Sequence, residues 1–294
     1  MKYNRPKVRV GNCNFSSVSA KVWVGTVWAL VMGMAGPVAA QCIEFNADLQ
    51  QGAFLWGKVE PGSRVQLNGK PLDVMADGVT FIGFGRDAAE SAELVVTGQQ
   101  TCRETLKIGA RNYRIQRVEG VPPETVTPPA EQLERIRREA AQVRAARAQR
   151  LQPPGFPATI RAGFSWPVKG PISGVYGSQR FYNGQPRRPH YGVDVAAAAG
   201  TTVRAPAAGR VTLAEPDLFY SGGTVILDHG YLLSSSFLHL EKVLVAVGDE
   251  LAPGDIVGAV GATGRATGPH LDWRMNWRDQ RGDPQLLVPP MPKP

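Results

Sequence analysis

Histidine is nearly missing from this chain: four in 294 residues, at positions 190, 229, 239 and 270, and none in the first 189. Imidazole is the usual metal ligand and the side chain that titrates nearest neutral pH, so its confinement to one late block marks a metal or acid–base site there. Cysteine is as scarce, with only Cys13, Cys42 and Cys102. None lies near the histidines, which excludes a thiolate-held metal. A basic stripe interleaved with aromatics is also missing, although the net charge is +8. Residues 1–40 hold Lys2, Arg5, Lys7, Arg9 and Lys21 and no acid, and without them the balance falls to +3. Residues 131–150 carry six Arg against three Glu and account for that remainder. The rest is near neutral, which excludes nucleic acid as the expected partner.

The basic start precedes an uncharged run from Val22 to Ala40. Gly36-Pro37 breaks it just ahead of Val38-Ala39-Ala40, a small-residue site suited to signal peptidase. Residues 1–40 therefore read as a signal peptide, and the chain as exported and periplasmic. The alternative is an uncleaved anchor, since about 19 uncharged residues can just span a bilayer. Gln41, where a small residue should precede Cys42, argues against a lipoprotein. With Cys13 removed, Cys42 and Cys102 form an even pair in an oxidising compartment, read as a disulfide closing a loop of about 60 residues and contributing about 4 kcal/mol.

Strand–helix–strand alternation is absent too, which excludes a parallel α/β sheet and leaves an all-β fold. Residues 41–118 read as a small β-sandwich-like domain. Val65 and Leu67 alternate before Asn68-Gly69, a strong hairpin signal, and Leu72 and Val74 alternate after it. Pro61-Gly62 and Asp77-Gly78 mark further turns, and Glu93–Val96 and Tyr113–Ile115 complete the module. Residues 119–158 read as a Pro-rich and helical linker. Thr127 is its N-cap, Pro128 its first helical residue, and Leu133, Ile136, Ala140 and Val143 a narrow apolar stripe. The helix is expected to lie as a solvated spacer along one of the domains, with a docking helix or short coiled coil as alternatives. Residues 159–290 return to short strands separated by Gly-rich turns, predicting a mainly antiparallel sheet.

Within that last stretch, His190 and Asp194 are four apart and share a face on either a helix or a strand; Gly192, Val193 and Val195 favour extended chain. His270 and Asp272 are two apart and share a strand face, with Leu271 pointing into the core. The same alternation groups His239 with Leu233, Ser235 and Phe237. Three strand faces offering imidazole or carboxylate can converge on one ion with an open position, the arrangement of catalytic zinc.

His190-x-x-x-Asp194, Phe237-x-His239-Leu240 and Gly268-Pro269-His270-x-Asp272, in this order, resemble the lysostaphin-type (LytM-like) zinc metallopeptidases that cut peptidoglycan peptides. The resemblance covers about residues 165 to 288. It implies that His190 and Asp194 bind zinc and that His239 and His270 are catalytic, one taking a proton from a metal-activated water and the other stabilising the oxyanion or protonating the leaving amine. Asp272 stands where the family carries a third, histidine ligand. A carboxylate can bind zinc at about 2.0–2.2 Å. A second one beside Asp194 makes the ion a weaker Lewis acid and shifts preference toward Mn2+ or Fe2+.

Tyr182 and Tyr191 are expected to pack or to add an oxyanion donor, and His229 to make a structural hydrogen bond. The implied activity is endopeptidase action on peptidoglycan cross-links, the D-alanyl–diaminopimelate bridge foremost. A degenerate domain that binds and activates a cell-wall amidase is the second reading. A biotinyl-lipoyl-like carrier is the third, and it lacks an acceptor lysine at the turn. A membrane enters as a partner only if the signal segment stays uncleaved.

Overall fold

Asn68 and Gly69 both have positive φ, 49° and 73°, and close a two-residue turn between β2 (Arg64–Leu67) and β3 (Lys70–Leu72). This is the Asn-Gly hairpin the sequence predicts, because those two residues alone tolerate the left-handed pair that matches strand twist. The structure is a computed structural model that describes residues 41–118 and 130–292. The segment proposed as a signal peptide and the expected cap at Thr127-Pro128 lie outside the described residues. Among those described, no helix is long and apolar enough to cross a membrane.

The N-terminal part is antiparallel. β1 (Phe54–Lys58) pairs with β4 (Val79–Gly83), while β2 lies between β3 and β5 (Ser91–Thr97), and β6 (Thr101–Lys107) closes the sheet. Cys42 and Cys102 form the expected disulfide, tying the first described residues to β6. Leu55, Val65, Ile82, Leu94 and Leu106 fill the core between the two layers. Leaving water at about 25 cal/mol per Å2 is what holds such a module together.

β7 (Ile115–Val118) departs from expectation. The run from Tyr113 to Ile115, read as completing the first module, instead leads into a strand parallel to β9 (Gln179–Tyr182), far along the chain. This is the one parallel pair among the described strands. Sequence periodicity reads a strand but not its partner.

Helix α1 (Ala130–Arg147) lies against the C-terminal sheet. Its contact face is mixed rather than the apolar stripe expected. Val143 and Ala146 pack on Leu213, Leu218 and Ile226, while Leu133 is 38% exposed. Polar anchors set the rotation: Arg135 pairs with Asp217 at 3.0 Å, Glu139 accepts from the Phe219 amide at 2.8 Å, and Arg147 donates to Ser236 Oγ at 3.0 Å. Helix α2 (Phe156–Ala162) then buries Phe156 and Ile160.

The C-terminal sheet has ten strands. Its spine runs from β13 (Gly209–Leu218) through β14 (Gly222–Gly230), β15 (Leu233–Val243) and β18 (His270–Trp277) to β11 (Val193–Ala196) and β8 (Ile172–Gly174). Leu271, Trp273, Met275 and Trp277 of β18 enter one core with Val193, Val195, Phe237 and Leu240. Phe54, Val79 and Phe81 of the N-terminal ribbon join the same core, with Phe81 at 5.6 Å from the Trp277 ring. The two β parts therefore share buried apolar surface.

Candidate metal centre

Because Leu271, Trp273, Met275 and Trp277 face the core, the alternation of β18 sends His270, Asp272, Arg274 and Asn276 to the other face. β11 does the same with Asp194 against Val193 and Val195. The antiparallel register puts Asp194 directly opposite Asp272, and Ala196 opposite His270. His190 lies just before β11, fixed by its amide donating to Ser178 O at 2.9 Å and its carbonyl accepting from Gly177 at 2.7 Å.

One ligand atom each from His190, Asp194 and Asp272 lie within 4.8 Å of one another. His190 Nε2 is 3.0 Å from Asp194 Oδ1, and both atoms are buried without a hydrogen-bond partner. Buried polar atoms seldom stay unpaired, so two orphans aimed at one point fit a shared cation. The backbone closes in behind them: a Cβ on Gly174 would meet Asp194 Oδ2 at 2.1 Å, and one on Gly192 would meet Asp272 Oδ1 at 2.3 Å. Glycine at those positions lets the chain press against each carboxylate.

His239 is where strand alternation misleads. Straight alternation groups it with Phe237 in the core. The register instead slips between Val225–Phe237 and Gly223–Leu240, and His239 takes φ +65°, uncommon for a side-chain-bearing residue. This bulge turns the imidazole to the carboxylate side, where its ring centroid is 4.9 Å from that of His270, and Leu240 resumes the core face. Nδ1 of His239 donates to Thr263 O at 2.8 Å and Nδ1 of His270 to Gly268 O at 2.7 Å. Each bond fixes the tautomer with Nε2 open as an acceptor. Burial lowers the His239 pKa, against the opposing pull of the Thr263 bond and Asp272, so the ring is neutral near neutral pH.

Asp272 is held by a residue the sequence reading passed over. Arg274, two positions on and therefore on the same strand face, donates Nε to Oδ1 at 3.0 Å and Nη2 to Oδ2. Burial alone would raise the Asp272 pKa, but the guanidinium outweighs it and holds the carboxyl at about 2. The spacing was the available signal, since i and i+2 on a strand share a face.

His229 stands apart from the site. It is 1% exposed, with Nδ1 2.8 Å from Ala208 O and Nε2 2.8 Å from Ser235 Oγ, which also accepts from Trp273 Nε1. Burial pushes its pKa down to about 4. The neighbouring Asp228 is pushed up to about 7 by burial, partly offset by the Gly230 amide. Tyr191 is half-buried with the Arg281 guanidinium 4.6 Å above its ring; the Tyr182 side chain lies outside what is described.

The profile of peptidase family M23 matches residues 188–284. Peptidoglycan DD-endopeptidase ShyA of Vibrio cholerae is 38% identical over 87 residues, 30% of this chain but 20% of its own length. DD-carboxypeptidase/endopeptidase Mpg of Neisseria meningitidis is 36% identical over 106 residues, 36% of this chain and 24% of its own length. The chain thus spans at most about a quarter of these curated relatives. A crystal structure assigned as a peptidase M23 from Pseudomonas aeruginosa is 31% identical with a TM-score of 0.62, covering 82% of this chain and 95% of that one. By that match, which covers 95% of the related chain, the chain belongs to peptidase family M23.

Proposed function

We propose that this chain is an exported, zinc-dependent endopeptidase that hydrolyses peptide cross-links of peptidoglycan. The observation that carries the reading is the pair of orphaned atoms, His190 Nε2 and Asp194 Oδ1, lying 3.0 Å apart beside two imidazoles with their Nε2 atoms open. The names of the relatives ShyA and Mpg support peptidoglycan as the substrate. A signal peptide over 1–40, a β domain over 41–118, a linker over 119–158 and a peptidase domain over 159–290 complete the proposal, with the periplasm as the working compartment.

His190, Asp194 and Asp272 would hold the ion, with Mn2+ or Fe2+ as alternatives given two carboxylates. A divalent cation there supplies Lewis acidity toward a scissile carbonyl and lowers the pKa of water. The chain's own residues do the rest. His239 or His270 accepts the proton of the attacking water at Nε2, and the partner imidazole, when it carries a proton at Nε2, donates to the developing oxyanion or the leaving amine. The carbonyls of Thr263 and Gly268 hold Nδ1 as the donor in each ring, so Nε2 is the atom that takes up a proton in the accepting ring and gives one only from a ring that already carries it there.

Arg274 favours a second reading. A carboxylate already satisfied by a guanidinium is a poorer ligand, as expected of a degenerate domain that activates a cell-wall amidase. Metal content separates the two. The peptidase reading expects one metal per chain, lost in His190→Ala, and cleavage of cross-linked muropeptides. A metal-free chain that stimulates an amidase instead would overturn it.

A further inference from the structure

Beside the centre lies an open cleft of about 570 Å3 between the N-terminal β part and the C-terminal sheet, lined among others by Arg86, Arg188, Tyr191, Asp279 and Arg281. Arg188 and Tyr191 bracket Pro189-His190, so one wall of the cleft continues directly into the candidate metal centre. Arg281 is placed by β19 (Gln280–Gly282), whose register sets it opposite Asn276 on the Asp272 face of β18.

The charges of this cleft are unevenly matched. Arg86 is engaged, donating Nε to Gly177 O at 2.7 Å and pairing with Asp87. Arg188 and Arg281 have no carboxylate within ion-pair distance among the described residues, Asp279 included. Arg281 is half-buried, stacked 4.6 Å over the Tyr191 ring. Burial lowers its pKa first, and Arg274 and Arg188 lower it further by repulsion. Arg147 of α1 adds to the strain: burial, Arg281 and Arg274 bring it to about 9, and its Nε is unpaired. A partly buried guanidinium facing other positive charges is unfavourable unless an anion completes it. A planar guanidinium fixed by stacking presents the fork that matches a carboxylate in two parallel hydrogen bonds.

We propose that Arg188 and Arg281 form an anion subsite beside the metal centre, and that it takes a free carboxylate of the peptide substrate. The inference rests on the reading of the chain as a peptidase for its choice of ligand, but not for its test. A peptide strand reaching His190 passes Arg188 and Tyr191 within two residues, so the recognised carboxylate belongs to a residue adjoining the scissile bond.

The test is direct binding to the full chain, which needs no turnover. A purified stem-peptide dimer with free carboxylates is titrated against the same dimer converted to carboxamides, with inorganic phosphate as a third ligand. The free acid is expected to bind about tenfold tighter than the amide, as charge-assisted hydrogen bonds warrant. That ratio should fall toward one in Arg188→Gln and in Arg281→Gln. Arg188 is exposed, so its loss leaves folding intact. Equal binding of acid and amide by the parent chain, or a ratio unchanged in both variants, overturns the subsite. Phosphate displaced by neither peptide, yet lost with the arginines, would assign them to phosphate instead. A chain that prefers the acid but never cleaves it would sink the peptidase reading and leave the subsite standing. Cleavage with no carboxylate preference would do the reverse.

Discussion

Asp194 and Asp272 face each other directly across the β11–β18 pair, two carboxylates on one side of the sheet with Arg274 forked onto the second. Like charges opposite each other destabilise a ladder. Arg274 relieves part of that repulsion, and a bound cation would relieve the rest. The arrangement would therefore be more stable with a bound cation than without one.

Removing the guanidinium should expose this dependence. In Arg274→Gln the buried Asp272 loses its counter-charge, and the metal-free protein is expected to lose about 3 kcal/mol. Zinc should restore most of it, so the rise in melting temperature on adding zinc is larger than in the parent. Thermal melts with and without a chelator measure this. An identical rise in both proteins would mean that Arg274 and the ion do not share Asp272.

His239 is expected to act in the reaction without holding the ion. His239→Ala should lower the hydrolysis rate by about 10²- to 10⁴-fold, the ordinary worth of a positioned general acid or base. Metal content, read by elemental analysis, should stay at the parent level. Loss of metal together with activity would instead make His239 a ligand.

Two buried groups predict opposite pH dependences. Asp228 has a folded pKa of about 7, above its unfolded value near 3.9, so its contribution is intact below about pH 4 and lost as pH rises through 7. His229 has a folded pKa of about 4, below the unfolded 6.5; its contribution is intact above about pH 6.5 and lost as pH falls through 4. Asp228→Asn should flatten the alkaline arm and His229→Gln the acid arm, each by roughly 3–4 kcal/mol. Urea midpoints between about pH 4 and 8 test both, and parallel profiles for parent and variants would contradict the assignment.

The junction of the two β parts should be energetically real. Phe81 packs at 5.6 Å from the Trp277 ring and 6.3 Å from that of Phe156. Phe81→Ala is expected to cost about 3–5 kcal/mol and to raise hydrogen exchange in β1 and β4 first. An unchanged melting temperature would show that the shared core contributes little.

Much of the site was legible because strand periodicity is local. His270, Asp272 and Leu271 fall on the faces the sequence assigns, as do the Asn68-Gly69 turn and the disulfide pairing of Cys42 with Cys102. Arg274 obeys the same rule, but a guanidinium is not a metal ligand, so the ligand pattern alone does not connect it with Asp272. His239 broke the rule, because a one-residue bulge has no signature in alternation. The partner of β7 and the rotation of α1 depend on surfaces distant in sequence, Asp217, Phe219 and Ser236 among them.

Residue types and their spacing by themselves determined that this is an all-β chain with its chemistry gathered in one late block, because hydrophobic alternation and ligand chemistry act over a few neighbours. Register, the bulge at His239, the guanidinium on Asp272 and the unpaired arginines of the adjoining cleft were decided only in the tertiary structure. These come from strands brought together across scores of residues, where packing and charge balance are settled by the whole fold rather than by any segment.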